Sequence, residues 1–240
     1  MKYAIISDIH ANLESFQSVL EDIEASGAGR ILCLGDIVGY GGDPNECVEI
    51  IRDRNITAII GNHDAAACGI SEPLDFNPVA REAVLWTRRE LTDENSEFLR
   101  SLTAREIVDD FMIVHGAISD PDKYIISSYD AEDELNLFGE RDLCFFGHTH
   151  TAVCFAKANS RIDRNTDEIF ELQSGVKYLI NPGSVGQPRD GDPRASFLVY
   201  DGEKGEAAFK RVEYDIKGAQ EKIIKNGLNR ILAERLSYGY

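Results

Sequence analysis

Two histidines stand two residues apart at the end of an apolar run, in the stretch "FFGHTH" at 145–150. Side chains at positions i and i+2 of a β-strand point to the same side. If a strand ends at Gly147, His148 and His150 can both lean from its tip toward one point. The spacing makes the pair a candidate metal clamp, and a packed or solvated pair is the alternative.

The remaining histidines occupy comparable positions. The chain has five histidines, and each lies at or just beyond an apolar run, as in "AIISDIH", "AIIGNHD" and "FMIVHG". Oxygen ligands accompany them, because Asp8 precedes His10 by two residues, Asn62 precedes His63, and Asp36 ends "CLGD". Functional groups collect outside the carboxyl ends of strands in open α/β sheets. We therefore expect these side chains to form one site.

The donor types indicate the chemistry of such a site. Two aspartates, one asparagine and four histidines supply oxygen and nitrogen without sulfur, which suits Mn²⁺, Fe or Zn²⁺ rather than Ca²⁺ or a structural zinc. Seven ligands are too many for one ion with an open position. They suit two ions about 3.5–4 Å apart that share a carboxylate, an arrangement that holds a phosphoryl oxygen and lowers the pKa of a bridging water.

The apolar runs alternate with helical patterns in the first 60 residues. Strands are predicted at 2–7, 30–35 and 57–61, and helices at 12–27 and 43–55. This is the βαβ rhythm of a parallel sheet, so the predicted class is α/β.

Later segments are less regular. Short strands from Thr151 onward predict antiparallel additions or a second sheet, and the charged stretch 159–168 is predicted to be a solvated hairpin tip. No linker divides the chain, so one domain over 1–240 is expected. The other predicted elements are helices at 78–91, 92–102, 130–138 and 216–236, a hairpin or neighbouring strands within 106–117, and a strand at 142–147.

Composition excludes several classes of protein. The chain is 43% apolar and 28% charged, as in a soluble globular protein, and its formal charge of −17 disfavours binding to long nucleic acid. The five cysteines form no CxxC pair, so neither a disulfide framework nor a zinc site built from cysteines is expected. No export signal or membrane span is visible, and we expect a cytoplasmic protein without membrane contact. Homo-oligomerisation is left open.

Five short motifs follow one another along the chain: "DIH" (8–10), "GD" (35–36), "GNHD" (61–64), "HG" (115–116) and "GHTH" (147–150). In order and type they resemble the calcineurin-like metallophosphoesterase superfamily. The segment 180–197, "INPGSVGQPRDGDPRASF", is similar to its small prokaryotic phosphodiesterase branch. The resemblance implies a four-layer αββα sandwich of two mixed β-sheets flanked by helices.

The resemblance also implies a role for each position. One metal ion would be held by Asp8, His10 and His150, a second by Asn62, His115 and His148, and both by Asp36 as the bridge. Mn²⁺ is favoured, with Fe, Zn²⁺, Ni²⁺ or Mg²⁺ as alternatives. His63 would stabilise the transition state or protonate the leaving oxygen, and a metal-bridging hydroxide would attack phosphorus in line.

The chain departs from the family pattern at one place. Many relatives carry GDxxD, whose second aspartate helps to orient the catalytic histidine, and here Gly39 stands at that position. Asp64 is a candidate to orient His63 instead. Asp43 is another, although we favour a role for it as the cap of the helix that begins at Pro44.

Two arginines follow the last motif. Arg189 or Arg194 could hold a phosphate oxygen through its guanidinium fork, and a surface ion pair is the alternative. The predicted function is a dinuclear metal phosphoesterase, a phosphodiesterase or phosphatase acting on small phosphate esters. The alternatives are a nucleotide pyrophosphohydrolase or short-oligonucleotide nuclease, and a non-catalytic scaffold of the same fold.

Overall fold

The computed structural model describes residues 1–139 and 141–240 and contains two six-stranded sheets with helices. The strands are β1 (Lys2–Ile6), β2 (Arg30–Cys33), β3 (Thr57–Ala58), β4 (Arg105–Val108), β5 (Phe111–Val114), β6 (Leu143–Phe145), β7 (Ala152–Ala158), β8 (Arg161–Asn165), β9 (Ile169–Glu171), β10 (Lys177–Pro182), β11 (Ala195–Asp201) and β12 (Glu206–Val212).

The helices lie mostly in the first half of the chain and at its end. They are α1 (Leu13–Ser26), α2 (Pro44–Asp53), α3 (Asn62–Ala67), α4 (Pro78–Glu90), α5 (Asp93–Ser101), α6 (Ser128–Leu135), α7 (Ile216–Lys225) and α8 (Arg230–Glu234), which continues into a 3₁₀ turn at Arg235–Ser237. Helix α1 ends at Gly27, which adopts the left-handed conformation (φ 72°) that commonly ends a helix.

The first sheet has the strand order β3-β2-β1-β11-β12-β9. Its first three strands are parallel, as the βαβ rhythm predicts, and β11 joins β1 in the antiparallel sense. The second sheet has the order β4-β5-β6-β10-β7-β8, with β5, β6 and β10 parallel. Both sheets are therefore mixed, as expected.

Apolar side chains fill three layers of packing. Ile5 and Leu32 of the first sheet pack against Phe145 and Ile180 of the second. The outer face of the first sheet is covered by α1 and α2, and the outer face of the second by α6. This is the four-layer αββα sandwich, and the predicted fold class is confirmed.

The segment 159–168 corrects one prediction. It was expected to be a solvated hairpin tip, yet residues 161–165 form β8, which pairs with β7 from Cys154↔Asn165 to Ala158↔Arg161. Its charged side chains misled the prediction, because an edge strand with one solvated face can carry them. The other prediction for this part of the chain had two alternatives, and the antiparallel additions are present, because the later strands extend both sheets. Across the described residues, no helix has both the length and the apolar character needed to cross a membrane.

Candidate metal centre

The candidate ligands lie in loops that leave neighbouring strands at one edge of the sandwich. Asp8 follows β1 and Asp36 follows β2, which run parallel, so both residues emerge at the same edge of the first sheet. His115 follows β5, and the His148–His150 segment follows β6, at the corresponding edge of the second sheet. The two sheets thus contribute to one site.

The structure brings the first group of predicted ligands together. One donor atom from each of Asp8, His10, Asp36 and His150 lies within 4.8 Å of the others, and all four residues are buried. The Nε2 atoms of His10 and His150 are 3.0 Å apart. Asp8 Oδ1 lies 3.4 Å from His150 Nε2, and Asp36 Oδ2 lies 3.6 Å from His10 Nε2.

A second group shares Asp36 with the first. Asp36, His115 and His148 also offer donor atoms within 4.8 Å of one another. Asp36 Oδ2 is 3.4 Å from His115 Nε2, and the same nitrogen lies 3.1 Å from Asn62 Oδ1. All seven predicted ligand positions therefore converge, and Asp36 is the member common to both groups.

The outward nitrogen of each of these histidines contacts a main-chain carbonyl. His10 Nδ1 lies 3.1 Å from Val38 O, and His115 Nδ1 lies 2.7 Å from Leu34 O. His150 Nδ1 lies 2.6 Å from Gln187 O, and His148 Nε2 lies 3.1 Å from Asp122 O. A carbonyl can only accept, so each ring donates outward, and its other nitrogen is the one that would bind a metal ion once it carries no proton.

The buried charges also suit a cation. Burial raises the pKa of Asp8 to about 7, and the charge of Asp36 adds to this shift. Burial opposes ionisation of Asp36 as well, but His115 and His63 hold its pKa well below the usual range. Burial lowers the pKa of His10 and of His150 well below 6.5, so both rings are neutral. Burial opposes protonation of His115, but the charge of Asp36 outweighs it and raises the pKa of His115 to about 10, so that ring must release a proton to bind a metal ion. Two adjacent carboxyls among imidazoles form a donor set that fits divalent metal ions.

The loops that carry the ligands have unusual backbone conformations. Five of the seven ligand positions have positive φ angles between 50° and 67°: Asp8, His10, Asp36, His148 and His150. Non-glycine residues in this region cost about 1–3 kcal/mol each and persist where the surroundings enforce them. The main chain at Gly61 must also approach the Asp36 side chain closely, because a Cβ on Gly61 would lie 2.1 Å from Asp36 Oδ1. The folded sandwich holds the ligands in place against this strain.

The sequence of the chain matches the model of one protein family over most of its length. Residues 1–205 match the model of the calcineurin-like phosphoesterase superfamily domain. The chain belongs to the calcineurin-like phosphoesterase superfamily. It is accordingly a metal-dependent phosphoester hydrolase, and the family expected from the five motifs is confirmed.

Several members of the superfamily resemble the chain over most of its length. An uncharacterised protein of Methanocaldococcus jannaschii is 44% identical, with 98% of this chain and 97% of that protein covered. The phosphodiesterase YfcE of Escherichia coli K12 is 25% identical, with 84% and 88% covered. A metallophosphoesterase from Sphaerobacter thermophilus is similar in structure, with a TM-score of 0.88, 42% identity, and 100% and 99% covered.

His63 lies beside both ligand groups without belonging to either. Its ring is packed between Tyr40 and Phe76, with centroids 4.4 and 4.8 Å away, and it meets His10 edge-on at 4.9 Å. Nδ1 is buried without a hydrogen-bond partner among the described residues. A Cβ on Gly39 would lie 2.5 Å from that nitrogen, so the glycine lets the loop pass directly against the ring.

Neither aspartate proposed to orient His63 contacts its ring. Asp64 accepts hydrogen bonds from the main-chain N–H of Val38 (2.9 Å) and Gly61 (3.0 Å), so it fixes the start of α3 and the loop after β2. Asp43 is the residue before α2, but its side chain makes no capping hydrogen bond and pairs with Lys222 at 2.9 Å. Aromatic packing, rather than a carboxylate, therefore positions His63.

The two arginines differ in their surroundings. Arg194 is committed to Asp192, with Nη2 2.6 Å from Oδ2, and has the ion-pair role that was the alternative. The Arg189 guanidinium lies 5.9 Å from the Tyr40 ring centroid and donates from Nη2 to Gln187 Oε1 at 3.2 Å. Its Nε is buried with no hydrogen-bond partner in the described chain, so donors remain for a ligand.

Three aromatic residues at the site were missed by the sequence reasoning. Tyr40, with φ 61°, packs on both His10 and His63, Phe76 packs on His63, and the Tyr124 ring centroid is 4.1 Å from that of His148. Only Tyr40 had a local signal, because it lies in the glycine-rich loop directly after Gly39. The other two lie in loops whose sequences do not show that they return to the site.

Proposed function

We propose that the chain is a dinuclear-metal-dependent phosphoesterase that hydrolyses small phosphate esters, with phosphodiesters as the preferred class. The observation that carries the proposal is the pair of buried ligand groups joined through Asp36. A shared carboxylate is what a two-ion site requires. The preference for diesters is supported by the similarity to a protein named as a phosphodiesterase in Escherichia coli.

The proposed ligands are those of the sequence prediction. Asp8, His10 and His150 would hold one ion, Asn62, His115 and His148 the other, and Asp36 both. Mn²⁺ is the proposed metal, because the mixed oxygen and nitrogen donors suit it. Bound there, the two ions would supply Lewis-acid charge and an activated water for attack on phosphorus.

His63 is proposed to act on the leaving oxygen. Burial lowers its pKa to about 4, so the ring is neutral near pH 7. With Nδ1 enclosed, Nε2 is the nitrogen that can reach a substrate. A proton on Nε2 would be donated as a hydrogen bond to the ester oxygen while the bond to phosphorus breaks, which stabilises the developing charge.

Arg189 is proposed to hold a non-bridging phosphate oxygen. Replacing it by alanine should lower kcat/KM for a phosphodiester about 10- to 100-fold, mainly through KM, because a hydrogen bond to a charged group contributes about 1.5–3 kcal/mol. Steady-state kinetics would measure this. Arg194→Ala is the matched control, since that side chain is held by Asp192. Equal kinetics for both variants would remove Arg189 from substrate binding.

The proposal is tested by comparing two chromogenic substrates with Mn²⁺ present. Bis-p-nitrophenyl phosphate is expected to have a higher kcat/KM than p-nitrophenyl phosphate, with Asp36→Asn as the background. A faster monoester would replace the phosphodiesterase assignment by a phosphatase. No turnover of either substrate, in protein shown by elemental analysis to hold metal, would contradict the proposal.

A further inference from the structure

A cleft of about 700 Å³ opens beside the second ligand group, and we call it the His63 cleft. Asn62 and His148 line it on the side of the candidate metal centre, and His63 lines it as well. Its volume falls in the range of small-molecule sites, about 300–1,000 Å³. Any ester bound at the centre therefore has a space into which one of its substituents can extend.

His63 connects this cleft to the proposed chemistry. The residue is 95% buried (5% exposed), and its Nδ1 lacks a hydrogen-bond partner in the described chain and is enclosed against Gly39, which leaves Nε2 as the ring nitrogen that can contact a ligand. A buried polar side chain without a partner is uncommon in proteins and needs an explanation. A substrate oxygen in the cleft would provide a partner for Nε2. The group attached to that oxygen would then lie in the cleft.

The walls of the cleft suit an aromatic substituent. Phe76 and Tyr124 both line it, and each packs against a different histidine, Phe76 against His63 and Tyr124 against His148. Tyr124 is 46% exposed, so its ring is available for further packing. Aromatic rings in offset or edge-to-face contact contribute about 0.5–1.5 kcal/mol beyond the area they bury.

The charges at the rim disfavour an anion. Asp75 and Asp122 line the cleft from separate loops, and both are exposed. Glu72 also lines it but is paired with Arg88 at 3.2 Å. Among the described lining residues there is no lysine or arginine. A leaving group with its own phosphate or carboxylate would therefore meet two uncompensated negative charges.

We infer that the His63 cleft is the leaving-group subsite and that it accepts an aromatic leaving group without negative charge. This rests on the proposed function and narrows its substrates to phosphodiesters of uncharged or cationic aromatic alcohols. It also disfavours nucleotide pyrophosphate hydrolysis, in which the departing group is itself a phosphate.

Matched probes test the inference. Methyl 4-nitrophenyl phosphate has a neutral leaving group, and its 3-carboxy derivative has an anionic one with the same methyl phosphoryl group. The native protein loaded with Mn²⁺ should hydrolyse the neutral probe with a kcat/KM about tenfold higher, because each rim carboxylate repels the added charge. Raising the salt concentration should reduce this ratio.

Removal of the rim charges should abolish the preference for the neutral probe over the anionic probe. The double variant Asp75→Asn/Asp122→Asn should bring the ratio of the two kcat/KM values below about threefold, because only the anionic probe carries the charge that the two carboxylates repel. Glu21→Gln/Asp22→Asn on the exposed face of α1 removes the same net charge and should keep the native ratio. Equal rates in the native protein, or an unchanged ratio in the rim variant, would overturn the inference.

A binding measurement separates this inference from the proposed function. The corresponding methyl benzylphosphonates, in which a methylene group replaces the aryl ester oxygen, would be titrated calorimetrically into the Mn²⁺-loaded protein, since their aromatic group cannot be released by hydrolysis. Discrimination in binding that disappears in the rim variant, together with absent hydrolysis, would contradict the proposed function alone. Failure of the neutral phosphonate to bind, or equal binding of both phosphonates, would overturn the inference about the cleft.

Discussion

The Asp36→Asn variant should lose the ability to hold two metal ions together, and with it nearly all activity. The variant is expected to bind at most one Mn²⁺ per chain and to lower kcat for bis-p-nitrophenyl phosphate by at least about 10³-fold, because each ion contributes several kcal/mol of charge stabilisation in the transition state. Asparagine keeps the size of the side chain and an oxygen that can accept from the main-chain N–H of His63, which now bonds to Asp36 Oδ1 at 2.9 Å. The loop should therefore stay in place.

Elemental analysis and steady-state kinetics on the same preparation would check this result. Asp43→Asn is the matched control, because Asp43 pairs with Lys222 outside both ligand groups. That variant should keep two ions and native kcat. Two bound ions with native kcat in Asp36→Asn would show that the carboxylate charge does not hold the pair together.

His63→Ala should separate catalysis from metal binding. We expect kcat to fall about 10²- to 10³-fold, in the range that positioned proton donors contribute, while two Mn²⁺ ions remain bound. The reason is that His63 lies against the site but belongs to neither ligand group. Asn62→Ala, one residue earlier, provides the contrast, because its Oδ1 lies 3.1 Å from His115 Nε2 and its loss should reduce metal content.

Metal content and kcat would be measured for both variants, His63→Ala and Asn62→Ala. If His63→Ala also lost an ion, the residue would be a ligand or a structural support for one. If its kcat were unchanged with a poor leaving group such as an alkyl alcohol, the proposed role at the leaving oxygen would be wrong. Alkyl esters are the stricter test, since 4-nitrophenol leaves readily without help.

The sequence was sufficient to predict which side chains converge at one edge of the sandwich, for a physical reason. Asp8, Asp36 and His115 each follow a short apolar run, and parallel strands place their carboxyl ends at one edge of a sheet. A residue's distance from the end of its strand is a local property. Such positions can be read without knowledge of the rest of the fold.

The features of the site that could not be predicted from the sequence depend on contacts between distant segments. The surroundings of His63 come from the Tyr40 loop and from Phe76, and the ion pair of Asp43 with Lys222 joins residues 179 positions apart. Asp64 was assigned to its neighbour in sequence, whereas its carboxylate bonds to the main chain of Val38. No local pattern encodes these partners, because each depends on how layers and loops pack.

The pairing of β1 with β11 has a consequence for synthesis of the chain on the ribosome. Strand β1 spans residues 2–6 and its antiparallel neighbour spans 195–201, with Lys2 opposite Asp201. A nascent chain cannot complete the first sheet until about 200 residues have left the exit tunnel. Asp8 follows β1 directly, and its main-chain oxygen accepts from Ser184 Oγ at 2.8 Å. The loop that carries Asp8 therefore reaches its folded surroundings only after residues 184–201 have been synthesised, and we expect capture of metal to follow synthesis of most of the chain.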